Sequence, residues 1–122
     1  MPSMRIFSND RKKKMARHAK RTDANHAEIR DGLRKAGYTV VDTSHIGNGY
    51  PDLTVRIGCK LPILLEVKDP AKPKRAQALT DKEVEFFELF MPICYVVTSV
   101  ESALEAIEHG RLTQSKWIYD EK

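Results

Sequence analysis

The chain has 122 residues, 41% of them hydrophobic and 31% charged, which suits one soluble domain with a single core and is too short for two. No apolar run approaches the roughly 20 residues of a membrane helix, and the N-terminal charges lack the apolar stretch of a secretory signal. The net charge of +4 is unevenly divided: residues 1–21 hold eight Lys/Arg against Asp10 alone, a net of +7, while the remainder holds 13 basic and 16 acidic residues, a net of −3.

The first segment, 1–21, reads as a basic arm. Lys12, Lys13 and Lys14 lie within it, and a block of like charge of this kind either binds a polyanion such as nucleic acid or is a solvated tail. A helix is expected from about Asp23 to Ala36. Thr22 or Asp23 is placed to cap it, Ala27, Ile29, Leu33 and Ala36 to form its apolar face, and Gly37 to end it. Tyr38–Asp42 reads as a strand, and Gly47-Asn48-Gly49 marks residues 44–50 as a loop. Leu53, Val55 and Ile57 alternate with Asp52, Thr54 and Arg56, and Ile63, Leu65 and Val67 alternate with Leu64, Glu66 and Lys68. With Gly58-Cys59-Lys60 between them, these two runs read as a β-hairpin. Residues 69–78 form a polar, Pro-containing loop.

Thr80 followed by Glu83 is a capping box. It opens a helix expected to bury Val84, Phe87 and Phe90 and to stop at Pro92. Ile93–Val97 is an apolar strand, and Ser99 caps a last helix expected to run through Ile107 and end at His109-Gly110. Cys59 and Cys94 sit in apolar surroundings without zinc-type spacing, which points to a reduced, cytosolic protein without a disulfide. The domain plan is therefore a basic arm at 1–21, a folded domain at 22–110 and a C-terminal extension at 111–122. The fold class is α/β, a mixed sheet flanked by helices.

Chemistry concentrates at one end of the hairpin. Glu66 and Lys68, two residues apart on a strand, project from one face. If Ile57 pairs with Leu61, Asp52 lies opposite Glu66 on that same face, and Leu53, Val55, Ile57, Ile63, Leu65 and Val67 share the other as a core. Two carboxylates with a backbone carbonyl such as that of Val67 suit a hard divalent cation, Mg²⁺ or Mn²⁺. Such a cation neutralises a phosphodiester and acidifies a bound water. Lys68 then either orients and deprotonates that water or stabilises the charge of the pentacovalent state. The bare Glu-x-Lys spacing is close to chance in a chain with this many Glu and Lys, and Asp10-Arg11-Lys12 and Asp120-Glu121-Lys122 are decoys of the same type. Its weight comes from charges set inside the apolar run Leu64-Leu65-Glu66-Val67-Lys68, where burial without partners is costly. A cross-strand Glu–Lys ion pair on a solvated edge is the rival reading.

The set Gly47-Asn48-Gly49-Tyr50-Pro51-Asp52, Leu65-Glu66-Val67-Lys68 and Leu79-Thr80-Asp81-Lys82-Glu83 resembles the PD-(D/E)xK nuclease superfamily. More narrowly it resembles the virus-type replication-repair nuclease (VRR-NUC) family, related to Holliday-junction resolvases. The resemblance covers about residues 22–100, and Glu83 stands where the family usually has Gln. It implies a restriction-endonuclease-like sheet in a single domain, with Asp52, Glu66 and the Val67 carbonyl as metal ligands. Lys68 would position the attacking water, and Glu28 on the first helix would be an outer or second-metal ligand. It further implies hydrolysis of DNA phosphodiesters in branched or flapped structures, by a phage-type protein acting as a homodimer in the cytoplasm. Tyr50 is a candidate to stack on a base, and Lys72, Lys74 and Arg75 to grip the backbone near the cut, each against the alternative of an ordinary loop residue. His45 reads as a solvated loop residue, and His18, His26 and His109 as structural or exposed. Phe86 or Phe90 is a candidate subunit contact. The main alternative function is a non-catalytic DNA-binding module on the same fold; a ribonuclease is a third.

Overall fold

In the computed structural model, which describes residues 23–58 and 60–120, the chain runs α1 (His26–Lys35), β1 (Thr39–Asp42), β2 (Leu53–Arg56), β3 (Ile63–Val67), a one-turn helix α2 (Lys74–Gln77), α3 (Asp81–Phe90), β4 (Cys94–Val97) and α4 (Val100–Asp120). The strands form one mixed sheet in the order β1-β2-β3-β4. β1, β2 and β3 are an antiparallel meander, and β4 returns parallel to β3 after the helical crossover. The basic arm with Lys12, Lys13 and Lys14, Cys59 and the side chains of Trp117 and Tyr119 lie outside what is described.

The expected hairpin parity holds. Leu53 pairs with Leu65, Thr54 with Leu64 and Val55 with Ile63, so Leu53, Val55, Ile63, Leu65 and Val67 point to one face. They meet Ile29 and Leu33 of α1 and Ala103 and Ile107 of α4, forming the main core. Burying a Leu or Ile side chain there contributes about 1.5–3 kcal/mol each. The opposite face carries Leu64, Glu66, Cys94 and Val96, the last 45% exposed on the edge strand. All five residues of β3 are buried because helices or loops cover both of its faces.

Four expectations change. The last helix does not stop at His109-Gly110 but continues to Asp120. Gly110 lies against the sheet: a Cβ there would fall 2.3 Å from Ile63 Cδ1, so any other residue requires the Ile63 side chain to shift. Beyond it Gln114 is buried, accepting from Leu61 N–H (2.8 Å) and donating to Leu61 C=O (2.9 Å), which ties the helix to the hairpin turn. On α3, Val84 and Phe90 are exposed, Phe87 is half-buried and only Glu83 is buried. Within 69–78, Lys74–Gln77 make a helical turn. α1 begins three residues later than expected; Asp23 does not cap it with its side chain, which instead pairs with Lys72 Nζ at 2.6 Å. The end at Gly37 holds, at φ +102°.

Candidate active site

The loop before β2 is built to present Pro51-Asp52. Gly47, Asn48 and Gly49 all adopt left-handed backbone. At Gly49 the requirement is also steric, since a Cβ would lie 2.3 Å from the Lys82 carbonyl oxygen. The loop is thereby pressed against the first turn of α3, and the Tyr50 ring meets Phe86 edge-on at 5.0 Å. Thr43 closes the other side: its N–H donates to Asp52 C=O and its hydroxyl to Pro51 C=O, both at 2.8 Å.

Asp52 is 7% exposed, and its Oδ2 accepts the Val67 N–H at 2.9 Å. Continuing the β2–β3 register by one residue sets it opposite Glu66. Glu66 is 1% exposed, and its Oε2 lies 3.6 Å from Lys68 Nζ. Lys68 is 7% exposed, and its closer partner is Glu83 Oε1 at 3.0 Å. Asp52, Glu66, Val67 and Lys68 are thus brought together at one end of adjacent strands. Glu83 joins them from α3, and sequence reasoning had given it a helix cap and nothing more. Its signal was the family position where Gln is usual.

Glu83 also bonds Glu66 through its side chain. Burial alone would raise the Glu83 carboxyl; the bonds from Glu66, the Thr80 N–H and the Lys68 ammonium outweigh it and hold it low, at about 2.

Asn25 was not foreseen. It occupies the N-cap position of α1 without capping it. Its Nδ2 donates instead to Lys68 C=O (3.0 Å) and Thr98 C=O (2.8 Å), clamping the chain just past the ends of β3 and β4. No local pattern reveals a contact 43 residues away. Next to it, His26 is buried and its Nε2 lies 3.0 Å from Asp42 Oδ2. Burial would raise the Asp42 carboxyl, but Ser44 and His26 hold it well below the usual carboxylate range. His26 is structural, as expected.

The remaining candidates have other surroundings. Glu28 is exposed on α1 and makes no hydrogen bond or ion pair with the described residues. Tyr50 is half-buried against Phe86, and Phe86 stacks on Phe90 at 4.4 Å. Lys74 and Arg75 are exposed on α2, and Lys72 is exposed and paired with Asp23. His45 is exposed. A largely apolar groove of about 740 Å³, lined by Met91, Tyr95, Val96 and Glu105 among others, follows the outer edge of β4 and includes none of the site residues.

Among the described residues, no group of three or more His, Cys, Asp or Glu side chains is arranged to hold a metal ion. The donors on hand are two carboxylates and backbone carbonyls. Asp52 Oδ1 has no hydrogen-bond partner among the described residues and is free to accept a cation. An all-oxygen set of this size fits Mg²⁺, which completes its shell with water and phosphate oxygens. No helix among the described residues is long and apolar enough to cross a membrane. Comparison with known proteins returns no matching family model, no matching curated protein and no matching solved structure.

Proposed function

We propose that the chain is a Mg²⁺- or Mn²⁺-dependent endonuclease of the PD-(D/E)xK type, with a restriction-endonuclease-like sheet and VRR-NUC-like motifs, acting on structured DNA in the cytoplasm as a homodimer. One observation carries the reading: a nearly buried lysine held between two glutamates, beside an aspartate pinned by the next strand's backbone, at the end of one sheet.

In this reading Asp52 Oδ1, a Glu66 oxygen and the Val67 carbonyl hold the cation. Bound there, a divalent ion supplies charge neutralisation of the phosphate and a water of lowered pKa. Asp52 is oriented by the Val67 N–H, so its free oxygen has a fixed direction. Lys68 Nζ is set as a donor between the two carboxyl groups. It therefore acts as a donor, holding the attacking water and the anionic phosphorane, rather than as a general base. The water oxygen bonds to phosphorus and gives up a proton to solvent, the bond to the leaving ester oxygen breaks, and that oxygen takes up a proton from solvent, so protons balance over the step. Lys72, Lys74 and Arg75, with the arm, supply cations for the DNA backbone.

The test is cleavage of a four-way junction and a 5′ flap with Mg²⁺ or Mn²⁺, with and without EDTA, by the wild type, Lys68→Ala and Asp52→Asn. Metal-dependent cutting lost in both variants is expected; metal-independent cutting, or full activity in both, would overturn the reading. One observation favours a second reading, a non-catalytic DNA-binding module: Lys68 is engaged by both glutamates, which also suits a purely structural lock. Calorimetric titration with Mn²⁺ separates the two, since absent metal binding with intact DNA affinity supports the module.

A further inference from the structure

We propose that Glu83 is a positioning residue of this site, which fixes the place of Lys68 Nζ. The proposal rests on the nuclease reading above.

A glutamate at the fourth position of a capping box ordinarily sits on the helix surface, returning one hydrogen bond to the N-cap N–H. Here the box is complete: Thr80 Oγ1 accepts the Glu83 N–H, and Glu83 Oε1 accepts the Thr80 N–H at 2.9 Å. Yet Glu83 is 2% exposed and the sole buried residue of its helix. Capping does not require that burial. The same Oε1 accepts from Lys68 Nζ at 3.0 Å, shorter than the 3.6 Å from Lys68 to Glu66. Helix start and site lysine therefore share one oxygen.

The helix end is held from the other side as well. The Gly49 backbone packs against Lys82 C=O, and Tyr50 packs against Phe86. Glu83 is thus fixed relative to the loop that presents Asp52. A lysine has four rotatable carbons and a compact charge, so an unheld ammonium samples many positions. Glu83 gives Lys68 Nζ its closer partner, 3.0 Å against 3.6 Å to Glu66, on an oxygen that the helix start also holds.

The experiment compares wild type, Glu83→Ala and Glu83→Gln on the junction and flap substrates, with kcat and KM for DNA separated and Mn²⁺ affinity measured by calorimetry. Misplacing a reacting group by about 1 Å costs on the order of 100-fold. Glu83→Ala should therefore lose about that factor in kcat while KM and Mn²⁺ affinity stay within about threefold. Gln keeps an oxygen for both Lys68 and Thr80, and should recover kcat to within about tenfold of wild type. If circular dichroism shows Glu83→Ala unfolded, Glu83→Met, which keeps the volume without the acceptor, takes its place against Gln. A folded Ala or Met variant with wild-type kcat, a loss confined to KM, or equal losses in the acceptor-free and Gln variants would overturn the role of Glu83 while leaving the nuclease reading in place. A wild type that cuts none of the substrates would remove the reading and the proposal together.

Discussion

Glu83 makes a stability prediction that needs no substrate. Its carboxyl falls from 4.5 to about 2 in the folded chain. A carboxylate with a depressed folded value contributes stability that is fully present above the unfolded value and is lost as pH falls through the folded one. The window is therefore pH 4.5 down to about 2. Each unit is worth about 1.4 kcal/mol, so the contribution lost across the window is about 3 kcal/mol. That is a large fraction of the roughly 5–15 kcal/mol that holds a domain of this size. Glu83→Gln removes the titration but keeps an acceptor for Lys68 and Thr80. Urea unfolding followed by far-UV circular dichroism, repeated from neutral pH into this window, should show the wild type losing stability more steeply than Glu83→Gln. The advantage of wild type over variant should shrink by up to that amount. Asp42 titrates low in both proteins and cancels in the difference. Two stability curves that stay parallel from pH 5 to the acid limit would refute the reasoning.

Other consequences are open to direct measurement. Asn25→Ala leaves the Lys68 and Thr98 carbonyls without their shared donor, and should cost about 1–3 kcal/mol in urea unfolding; a change under about 0.5 kcal/mol would show the clamp to be idle. Gly110→Ala should lower the melting temperature although alanine is the better helix former by about 1 kcal/mol, because the new methyl must displace Ile63; a rise would mean that β3 yields freely. Deleting residues 1–21 removes eight Lys/Arg and should weaken DNA binding and flatten its dependence on salt, as read by fluorescence anisotropy over a salt series; an unchanged slope would take the arm out of the interface.

Alternation was the most informative signal in the chain. The apolar set of the hairpin has to share a face, and that parity alone sends Asp52, Glu66 and Lys68 to the other side. The capping box at Thr80 was equally local and equally legible. What escaped depended on contacts distant in sequence. Glycine near a helix end normally signals termination, but Gly110 is chosen for what Ile63 needs, and nothing within the helix records that. The phenylalanines of α3 looked like a core face because burial is the usual fate of aromatics. The helix instead docks by its first turn, through Glu83 and the Tyr50–Phe86 contact, and leaves Phe90 43% exposed. Asn25 stands at the N-cap position of α1, and its use as a clamp on two strand ends is a tertiary fact.

The energetics of the site bear on why it exists. Taking Glu66, Lys68 and Glu83 almost entirely out of water carries a desolvation cost of several kcal/mol per ion, which their mutual attraction roughly offsets. Apolar residues of similar volume in such positions are often as stable or more so. The neighbours were available: Leu64, Leu65 and Val67 already bury their side chains on β3, and Leu64 shares the face of Glu66. Stability alone therefore gives little reason for a lysine and two carboxyl groups at this end of the sheet. Fold specificity is a weak reason too, since the hairpin register is already set by the apolar face. A site that must orient an ammonium ion and keep a carboxylate ready for a cation does require charges there, and requires them partly dry, where each interaction is stronger than in water.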